Sequence, residues 1–197
     1  MLNDNQAPMR AQARAVFLDR DGVINEERDY VHRIEDFVIL PGVFDGLAAL
    51  QSAGFKLIVV TNQAGIGRGL YDEAAYERLT SHMRSRLSEQ GIVLDAVYHC
   101  PHHPTAGLGG YRRNCDCRKP APGMLLQGAR DLSIDLEQSI MIGDKISDMQ
   151  AGRAAGVGRC VLVKSGHALD TTDLAHADAT FLDLREAAAW LLGRPAP

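Results

Sequence analysis

The sequence predicts an α/β fold built on a parallel sheet, and three observations carry that prediction. Five short runs, 15–18, 56–60, 96–99, 140–142 and 159–163, are continuously apolar rather than alternating. Such runs mark strands buried on both faces. Between them lie longer stretches with apolar residues at helical spacing, the pattern of strand–helix–strand units. Finally, polar residues gather directly after the runs, at the strand ends where open α/β sheets bind ligands.

Taken in order, residues 1–14 are polar and Ala-rich and are expected to form a flexible tail. The strand at 15–18 opens the domain. A helix over 43–53 follows Pro41-Gly42 and lines up Val43, Leu47 and Leu50. After the strand at 56–60, Asp72 is placed to cap a helix over 73–89 bearing Tyr76, Leu79, Met83 and Leu87 on one face. The strand at 96–99 leads through a loop to Pro122, which fits the first turn of a helix over 123–132. The strand at 140–142 precedes a helix over 147–155, and the strand at 159–163 comes next. A last strand near 179–182 leads to Asp183, which caps a helix over 184–192. No repeat or low-complexity tract interrupts the series. The loops after the first and third strands are each about twenty residues, too short for a cap domain. The expectation is one domain over 15–197: a Rossmann-like three-layer sandwich with a mainly parallel sheet and an open site.

Composition narrows the function. The chain has 197 residues, 46% hydrophobic and 23% charged, which suits one full core. A net charge of -4 lacks the basic footprint of nucleic-acid binders. No run of eighteen apolar residues is present, so no membrane span is expected. The first fifteen residues lack the apolar stretch of a secretory signal. The expectation is therefore a chain in the cytoplasm, where thiols stay reduced.

The strand ends hold the chemistry. The first closes on Phe17-Leu18-Asp19-Arg20-Asp21-Gly22-Val23-Ile24-Asn25. An Asp-Gly turn accounts for a bare DxD. Two mutually repelling carboxylates behind a buried strand point instead to a bound cation. The second strand closes on Thr61-Asn62-Gln63, whose hydroxyl and amides are placed to donate to phosphoryl oxygens. The Ala-Gly-Ile-Gly-Arg-Gly stretch at 64–69 reads as a flexible loop whose amides help cradle an anion. Arg118-Lys119 would supply cations across from the aspartates. The fourth strand closes on Gly143-Asp144-Lys145-Ile146-Ser147-Asp148. There Asp144 completes an oxygen-rich site of the kind magnesium prefers, while Asp148, one helical turn on, also reads as a helix-start residue.

Cys100, Cys115 and Cys117 lie within eighteen residues of one another beside His102 and His103. In a reduced compartment this is a metal cluster rather than a disulfide framework. Three sulfurs and one imidazole close a tetrahedral zinc site with no open position, which makes the zinc structural. Cys160, alone in an apolar run, reads as an inert core residue. The glycine-containing loop has little core of its own, and a metal clip would hold it and the adjoining Arg118 and Lys119.

Those four blocks, at successive strand ends, resemble the haloacid dehalogenase superfamily. The resemblance implies that Asp19 is the nucleophile, Asp21 the general acid/base and Thr61 a phosphate-binding residue. It also implies that Lys119 is the phosphate lysine, and that magnesium sits among Asp19, Asp21, Asp144 and Lys145. Within the superfamily, FLDRDGVIN, TNQAGIGRG, CPHHP, CDCRKP and MIGDKISDMQAG together resemble the D-glycero-D-manno-heptose 1,7-bisphosphate 7-phosphatase family over roughly residues 15–165. That comparison selects His102 over His103 for zinc. It implies substrate contacts from Glu27, Arg28, Asp29, Tyr30, Thr61, Asn62, Gln63, Arg118 and Lys119. The family more often has glycine where this chain has Asp29. The implied activity removes the 7-phosphate in ADP/GDP-heptose synthesis, toward lipopolysaccharide precursors, in a cytoplasmic monomer that takes a small phosphorylated sugar. Histidinol-phosphate phosphatases share the zinc loop, so histidinol phosphate or another sugar phosphate is the alternative substrate. A nucleic-acid-binding zinc module conflicts with the acidic balance, and a non-catalytic sensor has no use for both Asp19 and Asp21.

Overall fold

The strand β1 (Ala15–Leu18), buried along its whole length, lies inside a six-stranded sheet. The computed structural model describes residues 12–166 and 176–194. In chain order the strands are β1, β2 (Lys56–Asn62), β3 (Ala96–Cys100), β4 (Ile140–Gly143), β5 (Arg159–Val163) and β6 (Ala179–Phe181). They pair in the order β3-β2-β1-β4-β5-β6. Every pairing is parallel, as continuous apolar runs require.

The strand period of two divides each run between two cores. Val16 and Leu18 of β1 join Leu57 and Val59 of β2 in one cluster. Ala15 and Phe17 join Ile58 and Val60 in the other. Three helices cover the first face: α1 (Val43–Ser52) through Leu47 and Leu50, α3 (Glu73–Ser88) through Leu79, Met83 and Leu87, and α6 (Leu184–Leu191) through Leu184 and Ala187. On the second face lie α4 (Gly123–Leu132) with Met124 and Leu125, and α5 (Ile146–Ala155) with Met149 and Ala151. Each large apolar side chain so buried contributes about 1.5–3 kcal/mol. Cys160 sits in the second core, as expected of an inert thiol.

The capping residues act as their sequence context predicts. The Asp72 carboxylate accepts from the Ala75 amide (2.7 Å), and Asp183 accepts from the Glu186 amide (2.9 Å). One expectation is overturned at 64–69. Residues Ala64–Gly67 form a short, fully buried helix, α2, rather than a flexible cradle. Its glycines allow close approach: a Cβ on Gly65 would fall 2.1 Å from the Tyr71 ring, and one on Gly67 2.3 Å from the Pro101 carbonyl. The turn is packed in place, and Ala64 at its start lines the same cleft as Asp19.

The proposed tail falls mostly on residues 1–11, outside the described residues. Ala13 and Arg14 are already tied to the body: Ala13 bonds the Ser133 carbonyl (3.1 Å), and Arg14 bonds the Ala53 carbonyl (2.7 Å). Among the described residues no helix is long and apolar enough to cross a membrane. Segments 19–42 and 101–122 run over the carboxyl ends of the strands as loops, each with one short 3-10 turn, and neither forms a cap domain.

Candidate active site

The strand order places the end of β1 between the ends of β2 and β4, the crevice where open α/β sheets take ligands. Asp19 is the first residue beyond β1, and its amide donates to the Ile142 carbonyl of β4 (3.0 Å). Asp144 is the first residue beyond β4. Asp148 is in the first turn of α5, its Oδ2 accepting from the Lys145 amide (3.0 Å). Asp148 thus starts α5 as a capping residue while its carboxylate also faces Asp19 and Asp144. Asp19, Asp144 and Asp148 are buried, and oxygens from all three lie within 4.8 Å of one another.

Lys119 is the counter-charge. Its ammonium is buried, 3.0 Å from Asp19 Oδ1, 2.6 Å from Asp148 Oδ1 and 2.7 Å from the Val60 carbonyl. Those acceptors match the three donors of a lysine. Burial alone would push its pKa down, but Asp148 and Asp19 outweigh that and hold it above the usual lysine value. The acids remain in excess. Burial raises Asp19 to about 6 against the pull of Lys119, with Asp148 and Asp21 adding to the rise. Burial, then Asp19 and Asp148, pushes Asp144 up to about 8. Three carboxylates crowded in a dry site around one ammonium fit a divalent cation, which would hold all of them ionised.

Asp21 stands apart from this acidic group. Its carboxylate accepts from Arg20 Nε (3.2 Å) and Nη2 (2.9 Å), from Asn25 Nδ2 (2.9 Å) and from Gln63 Nε2 (3.0 Å). Asp148 thus takes the place in the acidic cluster that was expected of the Asp21 carboxylate. Lys145 also departs from the expected metal set: its ammonium pairs with Glu27 (2.9 Å), and a protonated amine has no lone pair to give a cation.

Thr61, Asn62 and Gln63 line the same cleft as Asp19, and their side chains are also bonded within the protein. Asn62 spends its amide on the Lys119 backbone, donating to its carbonyl and accepting from its amide, both at 3.0 Å. Gln63 Nε2 bonds Asp21 and Thr61 Oγ1 (2.8 Å), while its Oε1 accepts from the Tyr71 hydroxyl (2.6 Å). Asn62 and Gln63 thus brace Lys119, Asp21 and Thr61, and Thr61 Oγ1 accepts from Gln63 rather than donating to it. Tyr71 went unmarked in the sequence because it belongs to no strand-end block.

A cleft of about 420 Å³ opens above Asp19, walled by Glu27, Asp29, Tyr30 and Arg118 among others. Asp29 and Tyr30 both have left-handed backbone, φ 44° and 59°, a conformation that favours glycine. Arg68 bonds the Tyr30 hydroxyl. Arg28 instead forms an exposed pair with Glu26 (2.5 Å) and does not line the cleft. His103 lines it, its Nδ1 accepting from the Ala106 amide (2.9 Å).

Cys100, His102, Cys115 and Cys117 meet beside this cleft. Their donor atoms lie within 4.8 Å of one another, with Cys117 Sγ 3.0 Å from Cys100 Sγ and 3.3 Å from His102 Nδ1. Tetrahedral zinc with bonds near 2.3 Å would space its sulfurs by roughly 3.7 Å, so this soft donor set fits with slight expansion. Arg118 bonds the His102 carbonyl (3.2 Å), which joins the cluster to the cleft.

Residues 116–187 match the HAD-hydrolase-like family model. A D-glycero-beta-D-manno-heptose-1,7-bisphosphate 7-phosphatase of Photorhabdus laumondii is 50% identical over 80% of this chain and 84% of its own length. The protein of that name from Vibrio cholerae is 46% identical over 90% of this chain and 96% of its own. The chain belongs to the heptose bisphosphate phosphatase family of the haloacid dehalogenase-like hydrolases. A family structure from B. bronchiseptica, a D,D-heptose 1,7-bisphosphate phosphatase complexed with magnesium and phosphate, superposes with a TM-score of 0.79 at 34% identity. It covers 91% of this chain and 98% of that one.

Proposed function

We propose that this protein is a magnesium-dependent phosphatase that removes the 7-phosphate of D-glycero-D-manno-heptose 1,7-bisphosphate. The observation that carries the reading is the buried group of Asp19, Asp144 and Asp148 around Lys119, in a chain half identical to phosphatases named for that substrate. Asp19, Asp144 and Asp148 would hold magnesium. When bound, the ion neutralises charge on the carboxylates and on the phosphoryl oxygens.

The residues divide the reaction as follows. Lys119 and the Arg20 amide (2.7 Å) hold Asp19 Oδ1, which leaves Oδ2 to attack phosphorus in line. The new Asp19–phosphorus bond forms as the bond to the sugar oxygen breaks. Asp21 gives that oxygen a proton, then takes one from the water that cleaves the aspartyl-phosphate. Inorganic phosphate leaves and Asp19 is restored. Thr61, Lys119 and Arg118 offer donors to the phosphate oxygens, and Glu27, Asp29 and Tyr30 line the sugar side. The Cys100–His102–Cys115–Cys117 site is read as structural zinc that props Arg118 and Lys119. A cytoplasmic monomer acting on a small free sugar suits the open cleft.

Phosphate release from a panel of heptose 1,7-bisphosphate anomers, other sugar phosphates and histidinol phosphate, with and without magnesium, tests the reading. The heptose bisphosphate should win by kcat/KM, and only with magnesium present. Preference for histidinol phosphate, or turnover in chelator, would overturn it.

A further inference from the structure

The fifth strand also reaches the site, through residues that no motif marks. β5 stops at Val163, and Lys164, Ser165 and Gly166 continue along the carboxyl rim beside the end of β4. On the other flank of β4 is β1, whose turn carries Gly22. Both glycines close on Asp144. A Cβ on Gly22 would lie 2.3 Å from Asp144 Oδ2, and one on Gly166 2.0 Å from the same oxygen. Each added carbon would also fall within 2.8 Å of the opposite glycine's Cα. Two bare backbones thus meet over one carboxylate, and Asp144 is left with no exposed surface. Ser165 Oγ latches them by donating to the Gly22 carbonyl (2.7 Å). Gly22 has a positive φ of 83° and so a turn reason to be glycine. Gly166 does not, and the close approach alone accounts for it.

We propose that Ser165-Gly166 is a positioning element of the cation site, holding Asp144 in the one orientation that converges on Asp19 and Asp148 and keeping water off it. This rests on reading those three carboxylates as the cation site. A buried ligand oxygen cannot step aside for a methyl group as an exposed side chain would, so a side chain at 166 displaces the carboxylate or parts the two backbones. Groups that orient metal ligands from behind are worth about 10–100-fold in metal affinity.

The test is magnesium binding by the full chain, followed by calorimetry and by the rise in melting temperature, for wild type, Gly166→Ala and Ser165→Ala. Gly166→Ala should weaken magnesium binding by about 10–100-fold, with turnover recovering as magnesium is raised. Ser165→Ala, which cuts the latch without adding bulk, should weaken it several-fold. Magnesium bound by folded Gly166→Ala as tightly as by wild type would overturn the proposal. If Gly166→Ala does not fold, wild-type affinity in Ser165→Ala overturns it. Wild type that ignores magnesium would instead remove the cation site on which both readings stand.

Discussion

Lys119 shows at single-residue scale how the site is balanced. Its buried ammonium has all three donors met, two of them by carboxylates of the acidic group. Removing one partner of a buried ion pair costs about 3–5 kcal/mol because the other charge is stranded. Lys119→Met should lose about that much stability by chemical denaturation without magnesium, and regain part of it with magnesium; unchanged stability would mean the ammonium is dispensable. Tyr71 acts through Gln63, whose amide it fixes so that Nε2 faces Asp21. Tyr71→Phe should cut kcat about tenfold, the worth of about 1.4 kcal/mol of alignment, with KM little changed; steady-state kinetics reads the split. Asp29 bears a left-handed backbone that disfavours branched side chains. Asp29→Val should cost about 1–3 kcal/mol while Asp29→Gly is tolerated, as paired unfolding curves would reveal. Asp19, Thr61 and Asp144 were legible in the sequence because each sits at a strand end, and Lys119 because it follows the cysteine cluster in an Arg-Lys-Pro block before a helix. Tyr71, Gly166 and the outward turn of Arg28 were not, since they follow from how distant segments pack.

At the scale of elements, strands were the most legible, because a run buried on both faces has no polar register to blur it. β2 extends two residues beyond its apolar run, to Asn62, because Thr61 and Asn62 still pair with His99 and Cys100 of β3. The buried turn α2 escaped notice since its glycines read as loop signals, whereas their role is close packing. The cysteine loop is joined to the cleft by the Arg118–His102 bond. Stripping zinc, or replacing Cys115 by Ser, should therefore raise KM for phosphate substrates; unaltered phosphate binding in the zinc-free protein would sever that link. At the β5–β6 junction, Asp178 bonds Arg153 (2.5 Å) and the Cys160 amide (2.7 Å). Burial alone would raise it, but these donors outweigh burial and hold it below 3.8. A carboxylate lowered in the folded state adds stability above its unfolded value and loses it as pH falls through the folded one. The melting-temperature gap between wild type and Asp178→Asn should accordingly close below about pH 4.

For the whole molecule, the strand order sets the function. Placing β1 between β2 and β4 delivers Asp19, Thr61 and Asp144 to one crevice, and the loops at 19–42 and 101–122 add walls. Among the described residues no cap domain covers the crevice, so we expect specificity to depend on those loops, and the left-handed pair at 29–30 is part of one wall. The proposed reaction stands on Asp19 as the group that attacks phosphorus. The most direct test is phosphate release by Asp19→Asn under saturating magnesium and heptose bisphosphate, with the melting curve recorded alongside. Asn is close in size but far weaker as a nucleophile, so turnover should fall by at least about 10³-fold while the protein still folds. A folded Asp19→Asn protein that releases phosphate at near wild-type rate would contradict the account.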